Sequence, residues 1–256
     1  MMQQTRARLS NMLGIIAGTG FYDWAALENQ CEQVVATPYG EATVFRAEVR
    51  IGQEMKPVIF LPRHARNHTI PPHKINYRAN IWALHSLGVD RIVAVNAVGS
   101  LLPDVPPGSI VLVDDFLDFT SGREHTFFTG GEAGLVHTDM TDCYAARWQQ
   151  VIREAAAAAG VPIVDGGVYV CVQGPRFETR AEIRFYAMAG GTVTGMTGVP
   201  EVVLANELGI EYGSLAMVTN FACGLADKVS DDEVREVMSA NTGRLEKILL
   251  EVVRAY

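Results

Sequence analysis

An α/β fold is predicted by three features of this sequence. Short β-branched runs alternate with segments of helical periodicity along the whole chain. A strand–turn–helix plan is written out twice, once through residues 167–179 and again through residues 195–205. Hydrophobic residues are 48% of the 256, enough for a full core, and the 20% that are charged is ordinary for a soluble protein. That length allows one large domain or two small ones. No repeat, low-complexity segment or linker rich in Pro, Gly or Ser marks a boundary.

The elements follow in order. Met1 to Met12 is polar and basic without an apolar stretch, so it does not read as a signal peptide. The first strand, residues 13–16, ends in Ala17-Gly18-Thr19-Gly20. A second strand, residues 58–61, ends in Pro62-Arg63-His64. Tyr77, Ile81 and Leu84 share one face of a helix over 76–87, which Gly88 stops. A strand at 91–95 follows and is expected to break into a turn at Asn96-Ala97-Val98-Gly99-Ser100. Residues 120–139 have little periodicity and several aromatics and histidines; a loop of that length is usually functional or at an interface. Thr179-x-x-Glu182 and Ser230-x-x-Glu233 are capping boxes that open two helices. Between them a strand at 212–219 delivers Asn220 at its C-terminal end. The last helix carries an apolar stripe from Val234 to Val252 that core packing explains.

Composition narrows the function. A net charge of −8 and a pI near 5.3 argue against nucleic acid as partner, though not against a small anion held by local basic groups. Cys31, Cys143, Cys171 and Cys223 are widely spaced with no CxxC pair, the usage of reduced thiols in a cytosolic enzyme. No apolar run approaches the roughly 18 residues of a membrane span.

Ligands of open α/β sheets bind outside the carboxyl ends of the strands, so the polar residues there carry the functional reading. Gly18-Thr19-Gly20 can hold a phosphate through backbone N–H groups and a hydroxyl, or can simply be a tight turn. Its spacing is not that of a dinucleotide fingerprint, which leaves a nicotinamide-dependent oxidoreductase a weak reading. Arg63, His64, Arg66, His68, His73 and Lys74 form the densest basic cluster. A phosphate clamp with bidentate Arg63 is preferred there over a solvated loop. A metal site comes last, because Pro71-Pro72 prevents one helix from presenting the three histidines. Asn96, Ala97 and Thr197 offer further donors at strand ends.

Glu178 and Asn220 are the candidate specificity pair. The asparagine amide can donate to a purine O6 and accept the N7 proton of a departing base. An ionised Glu178 would accept N1–H of a 6-oxopurine and would face the bare N1 lone pair of adenine unfavourably. Such a site can reject the analogue lacking the donor by ~10⁴-fold. The competing explanation of Glu178 is an acid favoured by a helix N-terminus. For Phe177 and Met196 it is ordinary core packing. No G-x-S-x-G elbow is present, which disfavours a hydrolytic triad.

Together these residues resemble the trimeric purine nucleoside phosphorylase and methylthioadenosine phosphorylase family. The motifs are the glycine turn, Arg63-His64 with His68-Thr69-Ile70, residues 76–84, Gly174-Pro175-Arg176-Phe177 and Met196-Thr197-x-Val199-Pro200-Glu201. The resemblance implies a single phosphorylase domain over residues 13–256 after a tail of residues 1–12. It implies a central mixed β-sheet flanked by helices, a cytoplasmic homotrimer with active sites near subunit interfaces, and reversible cleavage of an N-glycosidic bond by inorganic phosphate. No metal or organic cofactor is implied. Thr19, Arg63, His64, Ala97 and Thr197 would hold phosphate. Phe177, Glu178 and Asn220 would hold the base, and Met196 would lie under the ribose. His137 would reach the neighbouring subunit's sugar pocket. Catalysis would rest on Asn220, Arg63 and His64. Glu178, Asn220 and Ala222 follow the 6-oxopurine pattern rather than the methylthioadenosine one, with the bacterial 5′-methylthioinosine branch most similar. Near the 5′ group, beside Val234, that branch has an apolar residue where this chain has Asp231. Asp231 either bonds a 5′-hydroxyl, favouring inosine or guanosine, or points to solvent. A methylthioadenosine phosphorylase and a non-catalytic purine-nucleoside-binding protein are the alternatives.

Overall fold

The computed structural model describes residues 12–18, 21, 24–225 and 230–256. Its first strand, β1 (Met12–Ala17), is apolar, and every residue after Met12 is buried, as a strand covered on both faces requires. It lies parallel between β4 (Glu54–Pro62) and β5 (Val89–Ser100). Beyond β4 the sheet continues antiparallel through β3 (Gly40–Ile51) to the edge strand β2 (Leu27–Thr37). On its other side β5 pairs in parallel with β11 (Glu211–Phe221), and on the β1 side, past the end of β1, its last residues pair antiparallel with β10 (Val193–Gly195). Parallel β9 (Val168–Val172) and β7 (Asp115–Phe119) extend the sheet from β10. Beside β11 lie β6 (Ile110–Val113), antiparallel, and then β8 (Val164–Asp165). Among the described residues these eleven strands form one mixed sheet.

Period-two alternation sends the two sides of each central strand into different cores. Leu13 and Ile15 of β1 and Val93 and Val95 of β5 pack with α2 (Ala146–Ala158) and α5 (Asp231–Ala255). Ile16, Ile92 and Ala94 face α1 (Tyr77–Ser86) and α4 (Gly198–Glu207). The predicted stripe of α5 is buried at Val234, Met238, Leu245, Ile248, Leu249 and Val252, with Val237 half-buried. Each such side chain contributes on the order of 1.5–3 kcal/mol by burial. Among the described residues no helix is long and apolar enough to cross a membrane.

Several helix ends carry the capping residues that their sequence predicts. Asn76 caps α1 by accepting from the Ala79 N–H, and Gly88 follows the helix at φ 85°. Thr179 and Glu182 form the full capping box of α3 (Arg180–Met188). Ser230 accepts the Glu233 N–H at the start of α5. The expected turn at 96–100 is a correction: β5 runs straight through it. Pairing explains why, since Asn96 to Ser100 is held by β11 and the last two residues also by β10, which keeps the backbone extended. The long loop is irregular as expected, with one 3₁₀ turn at Gly131–Ala133.

Candidate active site

A cleft of about 350 Å³ opens at the C-terminal ends of β1, β4, β5, β10 and β11, where open α/β sheets place ligands. Its two ends are built differently.

At one end is Arg63, the residue after β4, only 2% exposed. Its guanidinium makes two bonds to Glu201 of α4, Nε to Oε1 at 2.7 Å and Nη2 to Oε2 at 3.1 Å, and Nη1 donates to the Val95 carbonyl at 2.8 Å. Tyr212 donates its hydroxyl to the same carboxylate at 2.8 Å. Burial by itself lowers the arginine's pKa; the Glu201 charge and hydrogen bonds outweigh it and raise the pKa above the usual arginine value. Three of the five guanidinium N–H groups are thereby used, and two remain for an anion in the cleft. The cation approaches the β1 turn so closely that a Cβ on Gly18 would lie 2.7 Å from Nη1, so glycine is required there.

Thr197 stands beside this arginine in the cleft wall. Its hydroxyl accepts from Asn96 Nδ2 at 3.0 Å, and Asn96 Oδ1 in turn accepts from Ser214 at 2.9 Å. With one of its two lone pairs occupied, the Thr197 hydroxyl still has its proton to offer. The backbone N–H groups of Thr197 and Gly198 go to the Tyr169 hydroxyl instead of the cleft. The Asn96 side chain therefore orients the Thr197 hydroxyl, while Ala97 forms the cleft wall next to it.

His64 donates Nδ1–H to the Ile70 carbonyl at 2.7 Å, because a carbonyl can only accept. Burial lowers its pKa to about 4, so the ring is neutral near pH 7 and Nε2 carries a lone pair. The loop that bends here holds Ala65 and His68 in the left-handed region, at φ 61° and 51°. Such non-glycine conformations cost energy and are found where function constrains the backbone.

The other end holds Phe177, Glu178 and Asn220. Phe177 is 39% exposed at the rim. Glu178 is buried and accepts the Thr194 hydroxyl at 3.0 Å; burial raises its pKa despite that bond. Asn220 is fixed from both sides. Nδ2 donates to the Phe221 carbonyl and Oδ1 accepts from Thr219, both at 2.9 Å. A flipped amide would set two oxygens against each other at Phe221. One N–H and one lone pair of the amide remain. Met196 and Val234 also line the cleft.

The structure thus brings together Arg63, His64, Ala97, Phe177, Glu178, Met196, Thr197, Asn220 and Val234 in one cavity. Thr19 and the side chain of Asp231 lie outside the described residues. His137 is exposed in the long loop and does not line the cleft of its own chain.

Three supports were not assigned a role from the sequence. Glu201 had a signal, a carboxylate inside the apolar run Val199 to Leu204, since a buried acid needs a partner. Arg123, in the long loop, is 8% exposed and donates to the carbonyls of Val172, Gln173, Met196 and Val199. It pins the segments after β9 and β10 to one another. Thr194 had no signal: it reads as any β-branched strand residue.

Residues 12–254 match the family model described as Phosphorylase superfamily. The chain is 50% identical over 242 residues to a probable 6-oxopurine nucleoside phosphorylase of Moorella thermoacetica, covering 94% of this chain and 92% of that protein. It is 46% identical over 250 residues to a probable S-methyl-5′-thioinosine phosphorylase of Methanothermobacter thermautotrophicus, covering 95% and 84%. Among solved structures it is similar to methylthioadenosine phosphorylase from Schistosoma mansoni in complex with adenine. That match has a TM-score of 0.88 and 35% identity, covering 95% of this chain and 91% of that one.

Proposed function

Because this chain belongs to the Phosphorylase superfamily, we propose that its cleft performs phosphorolysis of purine nucleosides carrying a 6-oxopurine base. The observation that carries this reading is that Glu178 and Asn220 share one cavity with Arg63 and Thr197. The relatives named for 6-oxopurine and methylthioinosine substrates support the same base class.

Hydrogenphosphate sits between the free N–H groups of Arg63 and the Thr197 hydroxyl, with Thr19 and Ala97 adding contacts. His64 Nε2, holding a lone pair, suits the P–OH of that anion. A phosphate oxygen attacks C1′ of the sugar as the C1′–N9 bond breaks with its electrons leaving on the base. The proton brought by hydrogenphosphate ends on the purine, so the products are free base and a pentose 1-phosphate. Asn220 offers its remaining N–H to O6 and its remaining lone pair to N7–H. Ionised Glu178 accepts N1–H, Phe177 covers the base and Met196 the sugar. Catalysis is then positioning and charge stabilisation by groups already in place. Phosphate is the only co-substrate this chemistry needs.

Apolar Val234 in the wall supports a 5′-methylthio group, making 5′-methylthioinosine the leading substrate with inosine and guanosine also accepted. Exposed apolar residues (Phe119, Leu135, Phe185 and Met188) support a homotrimer in which His137 serves a neighbouring cleft; a single-chain mass in light scattering would remove that part. The cytoplasm is the compartment proposed.

The deciding assay follows release of base from 5′-methylthioinosine, inosine and 5′-methylthioadenosine, with and without phosphate. Cleavage of both hypoxanthine nucleosides only when phosphate is present is expected. Preference for methylthioadenosine would overturn the base reading, and binding without turnover would leave a nucleoside-binding protein.

A further inference from the structure

We propose that Thr194 is a specificity-determining positioning residue, whose hydroxyl holds the Glu178 carboxylate as an acceptor and so decides which purine the cleft takes. The proposal rests on the purine reading above and assigns its selectivity to a residue outside the base-contacting set.

Strand register carries the argument. Thr194 of β10 lies opposite Gly99 of β5, and Asn220 of β11 lies opposite the same Gly99. Three adjacent strands therefore present Thr194, a bare glycine and Asn220 as one row across the floor of the cleft. A Cβ on Gly99 would come within 3.2 Å of Asn220 Nδ2 and would crowd that amide, so the bare glycine keeps the centre of the row flat. Its outer members stand two inter-strand spacings apart, roughly 10 Å. Thr194 is 3% exposed, and its hydroxyl bonds to Glu178 Oε1. A β-branched side chain on a strand has few χ1 choices. The sheet thus aims the donor, and the donor aims a carboxylate that itself belongs to the irregular segment before α3.

The other groups around Glu178 do not do this. Arg176 and Glu182 are taken up with each other in a two-bonded pair at 2.7 and 2.9 Å, and their influences on Glu178 oppose. Tyr186 of α3 and Cys223 after β11 face it as neutral groups with raised pKa values. Its own backbone N–H is the one further donor. Against burial, the charged, accepting form is favoured first by that backbone N–H and then by the Thr194 hydroxyl, the one side-chain hydrogen bond to Glu178 among the described residues. A protonated Glu178 would donate instead, losing N1–H of a 6-oxopurine and gaining the N1 lone pair of adenine.

The test is kcat/KM against pH for inosine and adenosine with wild type, Thr194→Val, Thr194→Ser and Glu178→Gln. Thr194→Val keeps the shape and removes the donor, with Thr194→Ala as a second hydroxyl-free variant should valine not fold. Inosine cleavage at pH 7 is expected to fall about 10- to 100-fold, with the acid limb moved up by about one pH unit or more. Activity returns toward wild type by pH 9, and adenosine cleavage holds or rises. Thr194→Ser should behave as wild type. A Val profile that superimposes on wild type, or falls equally for both nucleosides at every pH, overturns the proposal. Glu178→Gln separates the two levels. If it keeps the wild-type preference for inosine, the base reading itself fails; if it loses inosine while Thr194→Val is silent, only the role of Thr194 fails.

Discussion

Arg63 at one end of the cleft and Glu178 at the other are both buried but differ in what holds them. Arg63 is tied to α4, β5 and, through Glu201, to Tyr212 of β11. Thr197 is held through Asn96 and Ser214. Glu178 has one side-chain donor, and its neighbour Phe177 stands 39% exposed. Each ligand group at the first end answers to several strands; at the second end Asn220 is held by its chain neighbours Thr219 and Phe221, and Glu178 answers to a single side-chain contact, Thr194. The part proposed to handle phosphate, which every substrate of such an enzyme shares, is over-determined. The part proposed to read the base, where substrates differ, is left adjustable by single substitutions.

Removing Glu201 attacks the over-determined end hardest. Glu201→Ala leaves a guanidinium buried without its counter-charge, at a cost of about 3–5 kcal/mol. At roughly 2–4 °C per kcal/mol for a chain this size, the thermal midpoint should fall by about 6–20 °C, with a raised KM for phosphate. A midpoint within a degree or two of wild type would mean that the network is ornamental.

Acid probes the same end more gently. His64 has a pKa of about 4 in the fold against 6.5 in the open chain. Between those values the unfolded chain holds the extra proton, so stability is intact above pH 6.5 and is lost as pH falls toward 4. The full effect is on the order of 3 kcal/mol. Melting curves of wild type and His64→Gln from pH 7.5 to 4.5 should converge in acid; parallel curves would show that the ring is not held neutral.

The smallest effect belongs to the other end. Thr179→Ala breaks the capping box directly after Glu178 and should cost about 1 kcal/mol, a shift of a few degrees. Its informative reading is KM for inosine, which should rise while KM for phosphate stays put. Equal changes in both would contradict the independence of the two ends.

Much of this was legible in the chain because it depends on local chemistry. Capping residues, strand ends and the pairing of Glu178 with Asn220 are written in residue types and spacing. What escaped depends on register. Asn96 to Ser100 carries turn-forming residues, yet partners on both sides hold it extended. Thr194 gains meaning only from facing Gly99, a relation that no spacing along the chain encodes. Arg123 sits in an aperiodic loop, where nothing local announces that it will be buried among four carbonyls.

The last five residues before the end of β5 have a consequence for anyone redesigning this protein. Val95 holds Arg63, Asn96 holds Thr197, Ala97 forms the wall, Val98 shares the Thr219 hydroxyl proton with Asn220, and Gly99 makes room for Asn220. Five successive positions serve five different tasks, so a shift of one register step mis-sets all of them together. Libraries aimed at new nucleosides should hold 95–99 constant and vary 177, 178 and 194, where each position answers for a single property and improvement can accumulate one mutation at a time.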